Sequence, residues 1–494
     1  MAFNSIPFLV FFPIVVLLYY AVPKKLKSYW LLIASYFFYM SWNAKYAILI
    51  ALSTIITFFS GILIQKAQTV KGKKLVVAAS FVSNISILVF FKYFAFLLKN
   101  LNAVLGLVHI SPINNPFSFI LPVGISFYTF QALSYTVDVY RGDVAATKNI
   151  VDYALFVSFF PQLVAGPIER SGALLSQIEK MKEKSLFDYK RFVTGFSMML
   201  WGMFMKVVIA DRISIFVDGV FGSLQAVGSV ETLLGAFAFA FQIYCDFGGY
   251  SAIAIGAANV MGFTLCENFD APYLSSSIAQ FWRRWHISLS SWFRDYLYIP
   301  LGGNRKGKIR KYLNLFITFL VSGLWHGASW TYVLWGAIHG LYQIIGDLLK
   351  PVKKKVNEFF KTDTEAFSHK SMQIVVTFLL TSLAWVPFRA ASISDTLRYF
   401  KCMFTRPDLW VLFNESLFSY GLNRTETSIL LFSLMLLVAA DFLKHFKKET
   451  VGEFLYRQNL WFRWGALIFL LLMCLVFGEY GVNFDSAKFI YFQF

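Results

Sequence analysis

Apolar runs of bilayer-spanning length recur along this chain from residue 6 to residue 478, and no other feature restricts the fold as severely. Hydrocarbon offers no water to backbone amides and carbonyls, so a segment that crosses it must satisfy them internally, as a helix does. About 20 apolar residues, rising about 1.5 Å each, cross a core about 30 Å thick. Spans are expected near 6–22, 28–43, 46–64, 74–98, 119–139, 192–216, 231–255, 312–327, 331–349, 371–388, 427–443 and 461–478. The pair at 312–349 is short for two full crossings, so the expectation is an all-α polytopic transmembrane helical bundle of about 11–12 spans. Composition agrees, with 57% hydrophobic and 15% charged residues against roughly 25% charged in a soluble domain.

The net charge of +18 would suit a nucleic-acid binder, but the positions of the charges argue otherwise. With the N-terminus outside, the segments 24–27, 66–74, 141–191, 283–311, 350–370 and 444–463 lie inside, and they hold 34 of the 45 Lys and Arg residues. That is the positive-inside pattern of a multi-pass protein, and it presents a basic cytosolic face to anionic membrane lipids or to a polyanionic small molecule. No nucleic-acid partner is expected. The N-terminus lacks the basic region of a signal peptide, so its first apolar run is expected to stay in the membrane. Two long inside segments, 140–191 and 256–311, are apolar between their charges and suit re-entrant or interfacial helices. Cys245, Cys266, Cys402 and Cys474 show no C-x-x-C spacing, and no metal site is expected.

Ionisable residues inside spans are costly and mark functional sites. His326, in SGLWHGA (322–328), lies 14 residues beyond Tyr312 at the inner surface, about 21 Å deep if helical. Gly323 and Gly327 flank it, where a second backbone or a ligand can approach closely. A neutral imidazole at that depth can act as a general base. His286 lies in FWRRWHISLS (281–290); as one helix, Trp282, Trp285, Leu289 and Trp292 form an apolar stripe while Arg283, Arg284 and Arg294 face water. Asp246, in IYCDFGGY (243–250), either orients a histidine or caps a helix broken at Gly248 and Gly249. Lys206, Asp211 and Arg212 read as a structural charge cluster, and His339 as a weaker site residue. Gly302-x-x-x-x-Gly307-Lys308 has the first part of a phosphate-binding loop, but Ile309 stands where Ser or Thr must bind magnesium. Its basic residues Arg305, Lys306 and Lys308 remain able to meet a phosphate-rich ligand.

WRRWHISLS (282–290), YLYIPLGGNR (296–305) and GLWHG (323–327) resemble the signature of the membrane-bound O-acyltransferase superfamily, most closely its bacterial alginate O-acetyltransferase branch. FPQLVAGPI (160–168), YCDFGGYS (244–251) and the C-terminal FIYFQF (489–494) resemble that branch too, with Cys245 and Gly248 departing from its usual residues. The resemblance implies one integral-membrane acyltransferase domain over 1–494, with N-terminal spans at 1–140, a catalytic core at 141–350 and C-terminal spans at 351–494. It implies His326 as catalytic residue, His286 as the second histidine, and Asp246, Trp325 and Ser290 as supporting residues. Acetyl-CoA would be the co-substrate, with no bound cofactor, its phosphates meeting Arg305, Lys306 and Lys308. The location implied is the bacterial cytoplasmic (inner) membrane. The acetyl group would pass to an extracytoplasmic SGNH-type acetyltransferase partner and on to a polysaccharide acceptor. Two alternatives stay open: transfer of D-alanyl or another acyl group from a carrier-protein thioester to an envelope polymer, and a non-enzymatic glycan transporter or scaffold.

Overall fold

Helices form along the apolar runs, and the breaks fall where a cap, an extended residue or a charged loop interrupts them. The computed structural model describes residues 1–117, 121–164, 166–181, 187–480 and 489–490. Of the motifs singled out above, Ala165 and residues 491–494 lie outside the described residues, as do 119 and 120 of the expected span 119–139. Among the described residues there is no β-strand, only an isolated bridge between Phe269 and Trp285. Among the described residues seven helical segments are long and apolar enough to cross a bilayer: Lys24–Lys66, Val70–Leu107, Tyr189–Gly222, Ser229–Val260, Phe367–Arg389, Arg424–Lys447 and Leu460–Phe477. The protein is an all-α, multi-pass membrane bundle.

The helices used below are α1 (Ile6–Ala21), α2 (Lys27–Asn43), α3 (Tyr189–Met203), α4 (Ser229–Val260), α5 (Ile278–Arg284), α6 (Ile287–Phe293), α7 (Gly307–His326), α8 (Trp330–Leu348) and α9 (Phe367–Arg389). Asn43, in extended backbone with its side chain accepting from Lys45 N, separates α2 from the helix Ala47–Lys66, as the two expected spans require. The expected span 119–139 appears as Ile125–Arg141, which is buried along nearly its whole length.

The chain forms two compact units. One comprises Met1–Gly195, Ala254–Cys266 and the described C-terminal residues Phe489 and Ile490; the other comprises Phe196–Ile253 and Glu267 onward through the described residues to Tyr480. The first unit joins its helices through buried side-chain hydrogen bonds, which suit a medium where apolar burial alone gives helices little reason to associate. Ser53 Oγ donates to Asn84 Oδ1 (2.6 Å), and Tyr153 Oη donates to Thr57 Oγ1 (2.7 Å).

The second unit departs from the sequence expectation in three places. α4 runs unbroken through Gly248 and Gly249, so Asp246 caps nothing; a Cβ at Gly249 would lie 2.6 Å from the carbonyl oxygen of Gly202, and the glycine serves a close helix crossing. The helix expected across 281–292 is two helices, α5 and α6, broken at Trp285 and His286. Arg284, expected in water, is buried and paired with His445 Nδ1 at 2.9 Å.

The third difference concerns the short pair at 312–349. Neither α7 nor α8 is among the seven spanning segments. They fold back on each other as a hairpin, closed at one end by Gly327, Ala328 and Ser329. Ser329 caps α8 by accepting from Thr331 N. At the other end Lys311 and Lys350 both reach Asp347, at 2.5 and 2.7 Å. Glycines set how closely the arms approach. A Cβ at Gly323 would sit 2.2 Å from the Tyr332 carbonyl oxygen, and one at Gly336 would sit 2.3 Å from that of Phe319. What Gly323 admits is therefore a second backbone. Gly346 on α8 has open space at the same test. Gly323→Ala and Gly336→Ala are each expected to destabilise the protein by about 1–3 kcal/mol or more, measured as a loss of thermal midpoint in detergent. Gly346→Ala is expected to hold or raise it.

Candidate active site

The hairpin places His326 at its tip. His326 is the last residue of α7, and Gly327 leaves the helix in extended backbone. The imidazole is buried behind rings: Trp325 and Trp335 lie 5.0 Å away between centroids and Phe388 of α9 lies 5.2 Å away, all at steep angles. The ring of His286 is 6.4 Å from that of His326. The structure thus brings together two histidines 40 residues apart in sequence, and Trp325 touches both, at 5.0 and 6.1 Å.

His286 is fully buried and occupies the left-handed region, at φ 43° and ψ 55°. That conformation costs most side chains roughly 1–2 kcal/mol, although His tolerates it better than most. Its neighbours hold it there. Ile287 N donates to the Asn268 carbonyl (3.0 Å), and Ser288 Oγ donates to Asn268 Oδ1 (2.6 Å). Asn268 Nδ2 in turn donates to Ser251 Oγ on α4 (3.1 Å). Phe247 of α4 lies against the imidazole at 4.6 Å. A backbone outlier maintained by a buried polar network is a mark of a functional position. Ser290 completes the turn by donating Oγ to the Trp285 carbonyl (3.2 Å) and N to the His286 carbonyl (2.9 Å).

Asp246 has a different partner from the one its motif suggested. Its carboxylate meets Lys206 Nζ at 2.6 Å, and the same ammonium meets Asp211 at 2.7 Å. Lys206 lies in a π-helical stretch, Phe204–Ala210, whose wider turn brings residues five apart onto one face, and Lys206 and Asp211 are so spaced. Asp246 therefore joins the charge cluster read at 206–212. His339 is buried and accepts from Trp282 Nε1 through Nδ1 at 3.2 Å. It meets Trp335 edge-on, and Trp335 lies 5.0 Å from both His326 and His339.

The basic residues Arg305, Lys306 and Lys308 are exposed at the opposite end of α7 from His326. From Lys308 to His326 the helix rises about 27 Å. A cavity of about 440 Å³ runs along the intervening part of α7, lined by Leu315, Thr318 and Ser322 on that helix and by Ser290, Arg283 and Arg294. Ser322 is one turn before His326. Arg283 and Arg294 are exposed, as expected from sequence. Their place at a cavity, like that of Trp335, Phe388 and Phe247 around the histidines, had no local signal, because each comes from a different helix.

Two substitutions test this geometry. Asn also tolerates left-handed backbone, so His286→Asn is expected to keep thermal stability within about 1 kcal/mol while His286→Ala loses about 1–2 kcal/mol. Lys206→Met leaves two buried carboxylates facing each other and is expected to cost about 3–5 kcal/mol, far more than Asp246→Asn, in chemical or thermal unfolding of the detergent-solubilised protein.

Comparison with known proteins identifies the family. Residues 36–385 match the model of the membrane-bound O-acyltransferase family. The chain is 37% identical to a probable alginate O-acetylase of Pseudomonas putida over the whole of both chains. It is 33% identical to a peptidoglycan O-acetyltransferase of Helicobacter pylori, over 88% of this chain and 84% of that one. A teichoic acid D-alanyltransferase of Streptococcus thermophilus is 29% identical, over 57% of this chain and 72% of its own. With a histidine-tipped hairpin inside a multi-pass bundle, and with the family model covering most of its length, this chain belongs to the membrane-bound O-acyltransferase family.

Proposed function

We propose that this acyltransferase is an O-acetyltransferase of the bacterial inner membrane, moving an acetyl group from cytoplasmic acetyl-CoA across the membrane toward an envelope or extracellular polysaccharide. The observation that carries the reading is the His326–His286 pair at the hairpin tip, 6.4 Å apart, with a cavity that reaches to within one turn of His326 at Ser322. Acetyl transfer is favoured because the relatives that this chain matches over most of both lengths are named for it.

In this mechanism the pantetheine arm of acetyl-CoA lies along the cavity beside α7, and its phosphates meet Arg283 and Arg294 or the exposed Arg305, Lys306 and Lys308. His326 accepts the proton of an acceptor hydroxyl as its oxygen attacks the thioester carbonyl. The carbon–sulfur bond breaks, and His326 returns the proton to the departing CoA thiolate, so that alcohol and acetyl-CoA become acetyl ester and free CoA. His286, in its fixed backbone conformation, orients the acceptor or the base. Trp325 holds the two rings apart, and Ser290 supports the turn. Asp246 acts at a distance from the chemistry, through the charge cluster that holds α4. The acceptor hydroxyl is one on an extracytoplasmic SGNH-type acetyltransferase; a polysaccharide hydroxyl then attacks that acetyl ester, the partner's hydroxyl leaves with the proton, and the acetyl group ends on the polysaccharide.

The test is turnover of labelled acetyl-CoA by purified protein in detergent, with its extracytoplasmic partner present. His326→Ala is expected to lower turnover by about 10² to 10⁴ while acetyl-CoA binding and thermal midpoint are kept; unchanged turnover would rule out His326 as the base. Arg283→Gln and Arg294→Gln are each expected to raise the KM for acetyl-CoA, by up to about fivefold, at nearly constant kcat. A triple Gln replacement of Arg305, Lys306 and Lys308 reports in the same assay whether that loop gathers the phosphates. Turnover with a carrier-protein thioester but none with acetyl-CoA would overturn the donor.

A further inference from the structure

The first unit carries a cavity of about 640 Å³ that the acyl-transfer chemistry does not use. It is lined by Tyr19 and Tyr20 at the end of α1, Lys27 at the start of α2, Phe187, Arg191 of α3 and Gly262. Lys27 is the residue of interest. It is almost wholly buried, 1% exposed, yet among the described residues it has no carboxylate partner. Its ammonium lies over the Tyr19 ring at 4.2 Å and within 5.8 Å of the Tyr20 ring. Ring faces stabilise a cation, but they leave its charge uncompensated. Lys27 is also the first residue of α2, where the helix dipole adds further positive potential and a cation is disfavoured.

Other charges around the cavity leave that excess in place. Arg191 is anchored through the Gly262 carbonyl and Thr264 Oγ1. Among the described residues Asp188 is the one carboxylate lining the cavity, and it accepts from Arg191 N at 3.2 Å. Among those residues Lys27 and Arg191 thus outnumber the carboxylates at the cavity. The surroundings are those of a bilayer boundary. Leu17 on α1 is 70% exposed and Phe187 is 57% exposed, and in a chain that spans the membrane such surface faces lipid. The aromatic rim of Tyr19, Tyr20 and Phe187 belongs at the level of the headgroups.

We propose that this cavity is a binding site for an anionic phospholipid, with the phosphodiester held by Lys27 and Arg191 and the acyl chains lying along the exposed apolar surface of α1. A phosphodiester brings the negative charge that the buried Lys27 ammonium lacks among the described residues. The same phosphate chemistry is available from a water-soluble phosphate, and the apolar surface beside the cavity favours the lipid.

The experiment is native mass spectrometry of the purified full chain, equilibrated with mixed phosphatidylglycerol and phosphatidylethanolamine. Wild type is expected to retain phosphatidylglycerol with at least about a fivefold preference. Lys27→Met is expected to lose the preference, and Lys27→Arg to keep it. An equal preference in wild type and folded Lys27→Met overturns the proposal. Should Lys27→Met fail to fold, wild type alone decides: indifference between the two lipids overturns the site, and displacement of bound phosphatidylglycerol by free CoA or inorganic phosphate assigns it to a soluble ligand.

Discussion

The backbone contact between α7 and α8, made at Gly323 and Gly336, is the constraint from which the site follows. Both glycines face a carbonyl oxygen of the opposite arm at a separation that leaves no space for a methyl group. The close approach turns two helices too weakly apolar to count as spans into one hairpin, and it sets where the tip ends. His326 is that tip. The latch of Lys311 and Lys350 on Asp347 fixes the other end, so the register of the whole hairpin is determined from both sides. Overpacking at either glycine would therefore move the imidazole as well as weaken the fold.

A second device works on His286. Its left-handed backbone is held by Asn268, which bonds the Ile287 amide, Ser288 and Ser251 within the same unit. The imidazole pair is then enclosed by Trp325, Trp335, Phe388 and Phe247, which are rigid and apolar. Enclosure of this kind keeps bulk water from an acyl donor and preserves the strength of each polar contact inside. The charge cluster of Lys206, Asp211 and Asp246 has another purpose. One ammonium answers two carboxylates inside the bundle, and this pairing offsets part of the cost of burying charge.

The helical bundle was readable because its cause is local: a run of apolar residues becomes a helix in lipid regardless of what it packs against. The histidines stood out for a related reason, since an imidazole within an apolar run is costly without a use. Asp246 was read toward a histidine or a broken helix because its two following glycines look like a stop signal. In the structure Gly249 makes room for Gly202, and α4 continues. The helix expected across 281–292 failed similarly. Its apolar stripe has helical spacing, but the pairing of 268–270 with 284–287 is long-range, and periodicity carries no trace of it.

Sequence by itself determined the class of the protein, where most of its apolar helices fall and the histidines worth attention, because all of these depend on residue type and spacing along the chain. Only the tertiary structure decided that 312–349 is a hairpin with His326 at its tip, that His286 adopts a left-handed turn 6.4 Å away, and that Asp246 answers to Lys206. Those outcomes rest on contacts between residues on different elements, as far apart in sequence as Lys206 and Asp246, where a glycine or an asparagine acts through what another helix brings to it.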